Sequence, residues 1–139
     1  MRPGAPRRAA EGSALVLAEP LSVWGGLDPE TGLITDRHHP QHGRCVSGRV
    51  LVMPGGRGSS SSSTTLAEAV RLKMAPAAII LGTADHILLV GALVAAELYG
   101  RTLPIVLLDP AEYATLEPER AVSLARDGTV TVAAAADSA

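Results

Sequence analysis

Apolar residues along the chain change their period partway through. Early on they come in short pieces: Ala14 to Ala18, Leu21 to Trp24 and Leu33 to Thr35, separated by the turn-rich Gly25-Gly26-Leu27-Asp28-Pro29-Glu30-Thr31-Gly32. From Val46 onward the runs lengthen. Val46 to Met53 predicts a strong strand, Ala77 to Leu81 and Leu103 to Leu108 predict buried strands, and Thr129 to Ala133 predicts a last one. Between them, Thr65 to Lys73 and His86 to Tyr99 have helical spacing. Asp85 is placed to cap the second helix, and Gly100 to end it in the left-handed region. Thr65-Leu66-Ala67-Glu68 reads as a capping box opening the first. Ala111 to Leu124 is weakly helical or irregular, and Arg126-Asp127-Gly128 is a turn.

Strand–helix–strand–helix–strand order calls for parallel pairing through crossovers. The expected fold class is α/β: a β/β/α domain with a small barrel-like sheet region beside a parallel sheet carrying helices. Residues 1–11, rich in Arg, Pro, Ala and Gly, read as a tail, and 12–135 as a single domain. The chain has 139 residues, 47% of them hydrophobic, with no Phe and a single Trp, so the core is aliphatic.

A net charge of −2 gives no basis for a nucleic-acid surface. No apolar run is long enough to span a bilayer, and no signal peptide is visible. The expected location is the cytoplasm. With one cysteine, Cys45, an internal disulfide is impossible.

The most informative run is Gly55-Gly56-Arg57-Gly58-Ser59-Ser60-Ser61-Ser62-Ser63, set between a strand and a helix start. By composition it resembles a flexible linker. Its flanks are too short to be domains, and they argue for ordered backbone. Glycines permit close approach to a ligand, and a helix N-terminus with an arginine suits an anion. A serine there needs activation by a neighbouring base or by a site that stabilises its alkoxide. The run is neither a nucleophile elbow nor a Walker A loop. His38, His39, His42 and Cys45 are zinc-ligating types, but their spacing fits no standard zinc motif. A structural or solvated loop is the expectation there, with His39 the histidine placed to face a substrate.

Val46-Ser47-Gly48-Arg49-Val50-Leu51-Val52-Met53-Pro54-Gly55-Gly56-Arg57-Gly58-Ser59 resembles the signature of the aconitase X small subunit. Leu66-Ala67-Glu68-Ala69, Ala75 to Ile80, Gly25 to Gly32 and Asp36-Arg37-His38-His39-Pro40 are similar to it as well. A departure is Lys73-Met74, where a glycine would be expected to close the helix.

The resemblance implies a swivelling β/β/α domain like the mobile C-terminal domain of aconitase, closing over a large subunit that holds an iron–sulfur cluster. It implies a dehydratase active only with that partner. The substrate would be a small hydroxy acid, either cis-3-hydroxy-L-proline, going to Δ1-pyrroline-2-carboxylate, or mevalonate 5-phosphate. The pure serine run favours the first. Ser59 is the implied catalytic base, with Ser60 the alternative. Arg57, Gly58, Ser60 and His39 are expected at the substrate, and no metal on this chain. With one cysteine the chain falls short of the three or four ligands a cluster takes. A competing class is a non-catalytic α/β module whose Gly/Ser loop cradles an anion without a partner.

Overall fold

The computed structural model describes residues 8–133. Six strands form one sheet: β1 (Arg8–Val16), β2 (Val50–Met53), β3 (Ala78–Leu81), β4 (Ile105–Leu107), β5 (Ala121–Ala125) and β6 (Val130–Val132). Their order is β4-β3-β2-β1-β5-β6. The first four are mutually parallel, and β1, β5 and β6 pair antiparallel. The sheet is therefore mixed, with β1 as the seam.

The helices are α1 (Val23–Gly26), α2 (Ser62–Arg71), α3 (His86–Tyr99) and α4 (Pro110–Tyr113). The first is a single turn broken by extended backbone at Trp24 and a positive φ at Gly25. Among the described residues, no helix is long and apolar enough to cross a membrane.

The inner parallel strands β2 and β3 are buried along their whole length, as their unbroken apolar runs require, whereas β4 lies at the sheet edge with Leu107 exposed and is not the buried strand expected over Leu103 to Leu108. Alternate residues serve opposite faces. Leu15, Leu51, Met53, Ile79 and Leu81 meet Leu66 and Val70 of α2 and Leu88 of α3. Ala14, Val50, Val52, Ala78 and Ile80 form the other layer with Leu108, Leu116, Val122 and Leu124. Leu17, Leu21, Val23, Leu27, Ile34 and Val46, from the turn-rich segment, pack on the α2–α3 side. That packing brings the segment beside the serine run.

Several expectations need correction. Strand β1 starts at Arg8, so residues 8–11 are paired sheet and not tail: Ala10 and Glu11 lie opposite Leu124 and Ser123. Residues 1–7, the rest of the expected tail, and 134–135, the end of the expected domain, lie outside the described residues. Apart from β1, the N-terminal third forms no barrel-like sheet among the described residues. It contributes isolated bridges, Leu27 to Ile34 and Leu33 to Cys45, and the antiparallel region comes from β5 and β6. Residues 121–124 are therefore strand, because Val122 and Leu124 alternate into the core. Helix α2 starts at Ser62, so Thr65 lies inside it and donates to the Ser61 carbonyl at 3.3 Å. By contrast, α3 has the expected bounds, cap and left-handed Gly100.

Candidate active site

The serine run leaves the carboxyl end of β2, and Asp85 lies just beyond the carboxyl end of the neighbouring β3. Ligands of open α/β sheets bind at this edge. A cavity of about 190 Å³ opens there. Gly56, Arg57, Gly58 and Ser59 line it from the loop, Ser62 from α2, and Asp85 from the start of α3. Leu21 and Val23 close its apolar side.

Ser59 is half-buried on that lining. Its Oγ accepts from the Ser61 N–H at 3.0 Å, and its carbonyl accepts from the Ser62 N–H at 3.0 Å. The loop thus turns tightly into α2 around Ser59, which sits at the positive end of the helix. Ser60 is exposed and is not among the lining residues. Its carbonyl takes the N–H and the hydroxyl of Ser63. Between the two candidate serines, Ser59 is the one that reaches the cavity.

Arg57 lines the rim, but its guanidinium is engaged within the chain. Its Nη2 donates to the Pro20 carbonyl at 2.9 Å and to Glu19 Oε1 at 3.2 Å. Gly58, at φ +100°, faces Ser22, and a Cβ there would lie 2.3 Å from Ser22 Oγ.

His39 does not face the cavity. It is buried, and both ring nitrogens have partners in the chain: the Glu19 carbonyl and the Gln41 N–H, each at 3.0 Å. His39, expected at a substrate, is thus not among the residues that line the cavity, and its ring is taken up within the chain. His38 and His42 are exposed. Cys45 is exposed too, with its Sγ 3.6 Å from the Thr31 carbonyl. Among the described residues, no three His, Cys, Asp or Glu side chains gather as metal ligands. One exposed thiol at an isolated bridge does not fit an iron–sulfur cluster.

Ser62 and Asp85 join the site unannounced. Ser62 is 4% exposed, and its Oγ accepts from the Trp24 N–H at 3.0 Å. Asp85 caps α3 and also lines the cavity. Its signal in the sequence was positional: an acidic residue following the strand that neighbours the serine strand.

A mixed α/β sheet with a Gly/Ser loop at the carboxyl edge of its parallel strands defines the class. The chain matches the family model of the aconitase X swivel domain over residues 4–132, and it belongs to that family. It superposes on the crystal structure of Thermococcus kodakaraensis aconitase X in its holo form with a TM-score of 0.78 and 31% identity, over 93% of this chain and 96% of that one. It is 50% identical over 100 residues to cis-3-hydroxy-L-proline dehydratase of Pseudomonas aeruginosa, covering 72% of this chain and 17% of that protein. It is 37% identical over 125 residues to the phosphomevalonate dehydratase small subunit of Methanothrix thermoacetophila, covering 88% and 91%. The chain therefore spans about a sixth of the hydroxyproline dehydratase that it matches.

Proposed function

We propose that this chain is the small subunit of an aconitase X-type dehydratase, working in the cytoplasm with a large subunit, and that Ser59 is its catalytic base. The observation carrying the assignment is that Ser59 is the serine of the run's Gly-Arg-Gly-Ser segment and lines the cavity beside Asp85. Its Oγ takes the proton from the carbon next to the substrate carboxylate. The C–H electron pair becomes the new double bond, and the hydroxyl leaves from the adjacent carbon. The α2 N-terminus favours the negative oxygen of the base. A cluster held by the large subunit would supply a Lewis acid for the departing hydroxyl.

The favoured substrate is cis-3-hydroxy-L-proline. The 50% identity to the Pseudomonas enzyme and the unbroken serine run support it. Mevalonate 5-phosphate is the second reading, supported by the breadth of the match to the Methanothrix small subunit. Helix α3 supports a partner. It buries Leu88, Gly91, Ala92 and Ala95, yet leaves Leu89, Val90, Leu93 and Leu98 exposed. A helix apolar on both faces is one that a further chain covers. In the fused Pseudomonas relative most of the chain lies outside this domain. The corresponding large subunit is the proposed occupant.

The test is a dehydration assay on the complex reconstituted anaerobically with its large subunit, offering both substrates. Ser59→Ala should lower kcat by at least about 100-fold, and Ser60→Ala by less than about twofold. Turnover that survives Ser59→Ala would remove Ser59 as base. Turnover of neither substrate by an intact complex would remove the substrate assignment. Anion binding by the isolated chain without any turnover would favour the non-catalytic module.

A further inference from the structure

The loop 36–42 holds chemistry-bearing side chains that the proposed reaction leaves unused, and His39 is the buried one. Its Nδ1 accepts from the Gln41 N–H at 3.0 Å, so that nitrogen carries no proton. The ring hydrogen is then on Nε2, which donates to the Glu19 carbonyl at 3.0 Å. Two residues on, Gln41 Oε1 accepts from the Ala18 N–H at 3.1 Å. Two side chains of one loop thus grip two consecutive residues of the segment after β1.

That segment runs along the serine loop. The Glu19 carboxylate and the Pro20 carbonyl hold Arg57. Leu21 bridges to Gly56 in parallel. The Ser22 side chain occupies the space over Gly58. The Trp24 N–H donates to Ser62 Oγ. These contacts reach positions 56, 57, 58 and 62, on both sides of Ser59. The loop they hold contains Gly55, Gly56 and Gly58, whose backbone has no Cβ to restrict it.

We propose that His39 is a positioning residue. By holding the Glu19 carbonyl it fixes the strap 19–24, and through the strap it fixes the loop that presents Ser59. Its kinetic consequence rests on Ser59 being the base; its structural consequence does not. A misplacement of about 1 Å can cost 100-fold in rate, so a support this close to the base has leverage on kcat.

The two ring nitrogens can be separated chemically. An Asn side chain places its oxygen near the Nδ1 position and is too short to reach Glu19. His39→Asn therefore keeps the turn and cuts the strap. A Gln amide reaches as far as Nε2, so His39→Gln keeps the strap. A side chain that merely filled volume would not distinguish the two.

The experiment measures kcat and KM of the reconstituted complex, and amide hydrogen exchange of the same full-length chains read at Trp24. His39→Asn should speed Trp24 exchange about tenfold and lower kcat about tenfold with KM within about twofold. His39→Gln should stay within about twofold of wild type on every measure. Exchange at Val52 and Ile80, in the central strands, should be unchanged throughout. If His39→Asn loses that protection as well, Gln41→Ala takes its place, cutting the neighbouring grip on Ala18, with the same acceleration expected at Trp24. Unchanged Trp24 exchange in the folded variants, or equal behaviour of Asn and Gln, overturns the proposal. A Trp24 response in a complex whose wild type turns over neither substrate leaves the positioning role standing and rejects the substrate assignment.

Discussion

The Asp85 carboxylate fills the space that a side chain at position 56 would need: a Cβ built on Gly56 would lie 1.9 Å from Asp85 Oδ2. The other oxygen, Oδ1, accepts from the Ile87 and Leu88 N–H groups at 2.9 and 3.0 Å and so caps α3. One carboxylate thereby joins the serine loop to the next helix. Gly56→Ala should destabilise the fold by about 1–3 kcal/mol through overpacking. Asp85→Ala should cost about 1 kcal/mol through the lost cap. The double variant should cost clearly less than the sum, because the clash disappears with the carboxylate. Urea unfolding of the four proteins measures this, and additive costs would show that the two residues do not compete for the space.

Lys73 closes α2 where a glycine is usual. Its φ is +64°, in the left-handed region. The Lys73 N–H donates to the Val70 carbonyl and the Met74 N–H to the Ala69 carbonyl, which is the Schellman pattern. The motif forms without its preferred residue and carries the steric cost of a Cβ. Lys73→Gly should therefore stabilise the chain by about 1 kcal/mol, read as a higher urea midpoint with an unchanged slope. A lowered midpoint would mean that the lysine side chain contributes more than its backbone costs.

How far the sequence reveals the site depends on whether the interaction involved is local. Helix α3 was legible from end to end because its cap, Asp85, and its terminator, Gly100, directly flank it. The buried strands were legible from apolar runs bounded by Gly and Pro. Strand β5 was hidden because just two of its residues, Val122 and Leu124, alternate inward among Ala, Ser and Arg. The start of α2 was hidden because a row of identical serines offers no contrast for a cap. Arg57 and His39 were recognised as charged or ligating types, but their direction depends on Glu19 and Pro20, roughly twenty to forty residues away. The chemistry of a side chain is written in the sequence, and the partner that consumes it is set by the fold.

Glu119 makes one part of the stability pH-dependent. Its carboxylate accepts from Arg49 Nη2 at 2.7 Å and from Arg44 Nη2 at 2.8 Å. Arg49 and then Arg44 hold its pKa below the ordinary 4.5. Arg49 also donates to the Ser13 and Ala14 carbonyls, so the ion pair ties the chain entering β5 to β1. A depressed folded pKa contributes stability that is present above the unfolded value and lost as pH falls through the lower folded value. Glu119 is largely exposed, so the contribution is about 0.5 kcal/mol. Wild type should exceed Glu119→Gln by that amount near neutrality. The gap should close below the ordinary carboxylate pKa and shrink in high salt. A gap independent of pH would assign the effect to packing.

Gly58 is constrained twice, and the two constraints can be separated. Its φ of +100° is strained for any residue with a Cβ. Independently, that Cβ would lie 2.3 Å from Ser22 Oγ and 3.0 Å from Ser22 Cβ. Gly58→Ala should therefore cost about 3 kcal/mol, combining about 1–2 kcal/mol of backbone strain with a comparable overpacking cost. Introduced into a Ser22→Gly background, the same substitution should cost only the backbone part. Ser22→Gly itself removes the hydrogen bond from Ser22 Oγ to the Trp24 carbonyl, so the comparison is made between the two costs of Gly58→Ala and not between absolute stabilities. Equal costs in both backgrounds would show that Ser22 yields freely and that backbone conformation alone reserves position 58 for glycine. A smaller cost without the serine side chain would show that residue 22 packs the loop from behind, one position after the bridge from Leu21 to Gly56.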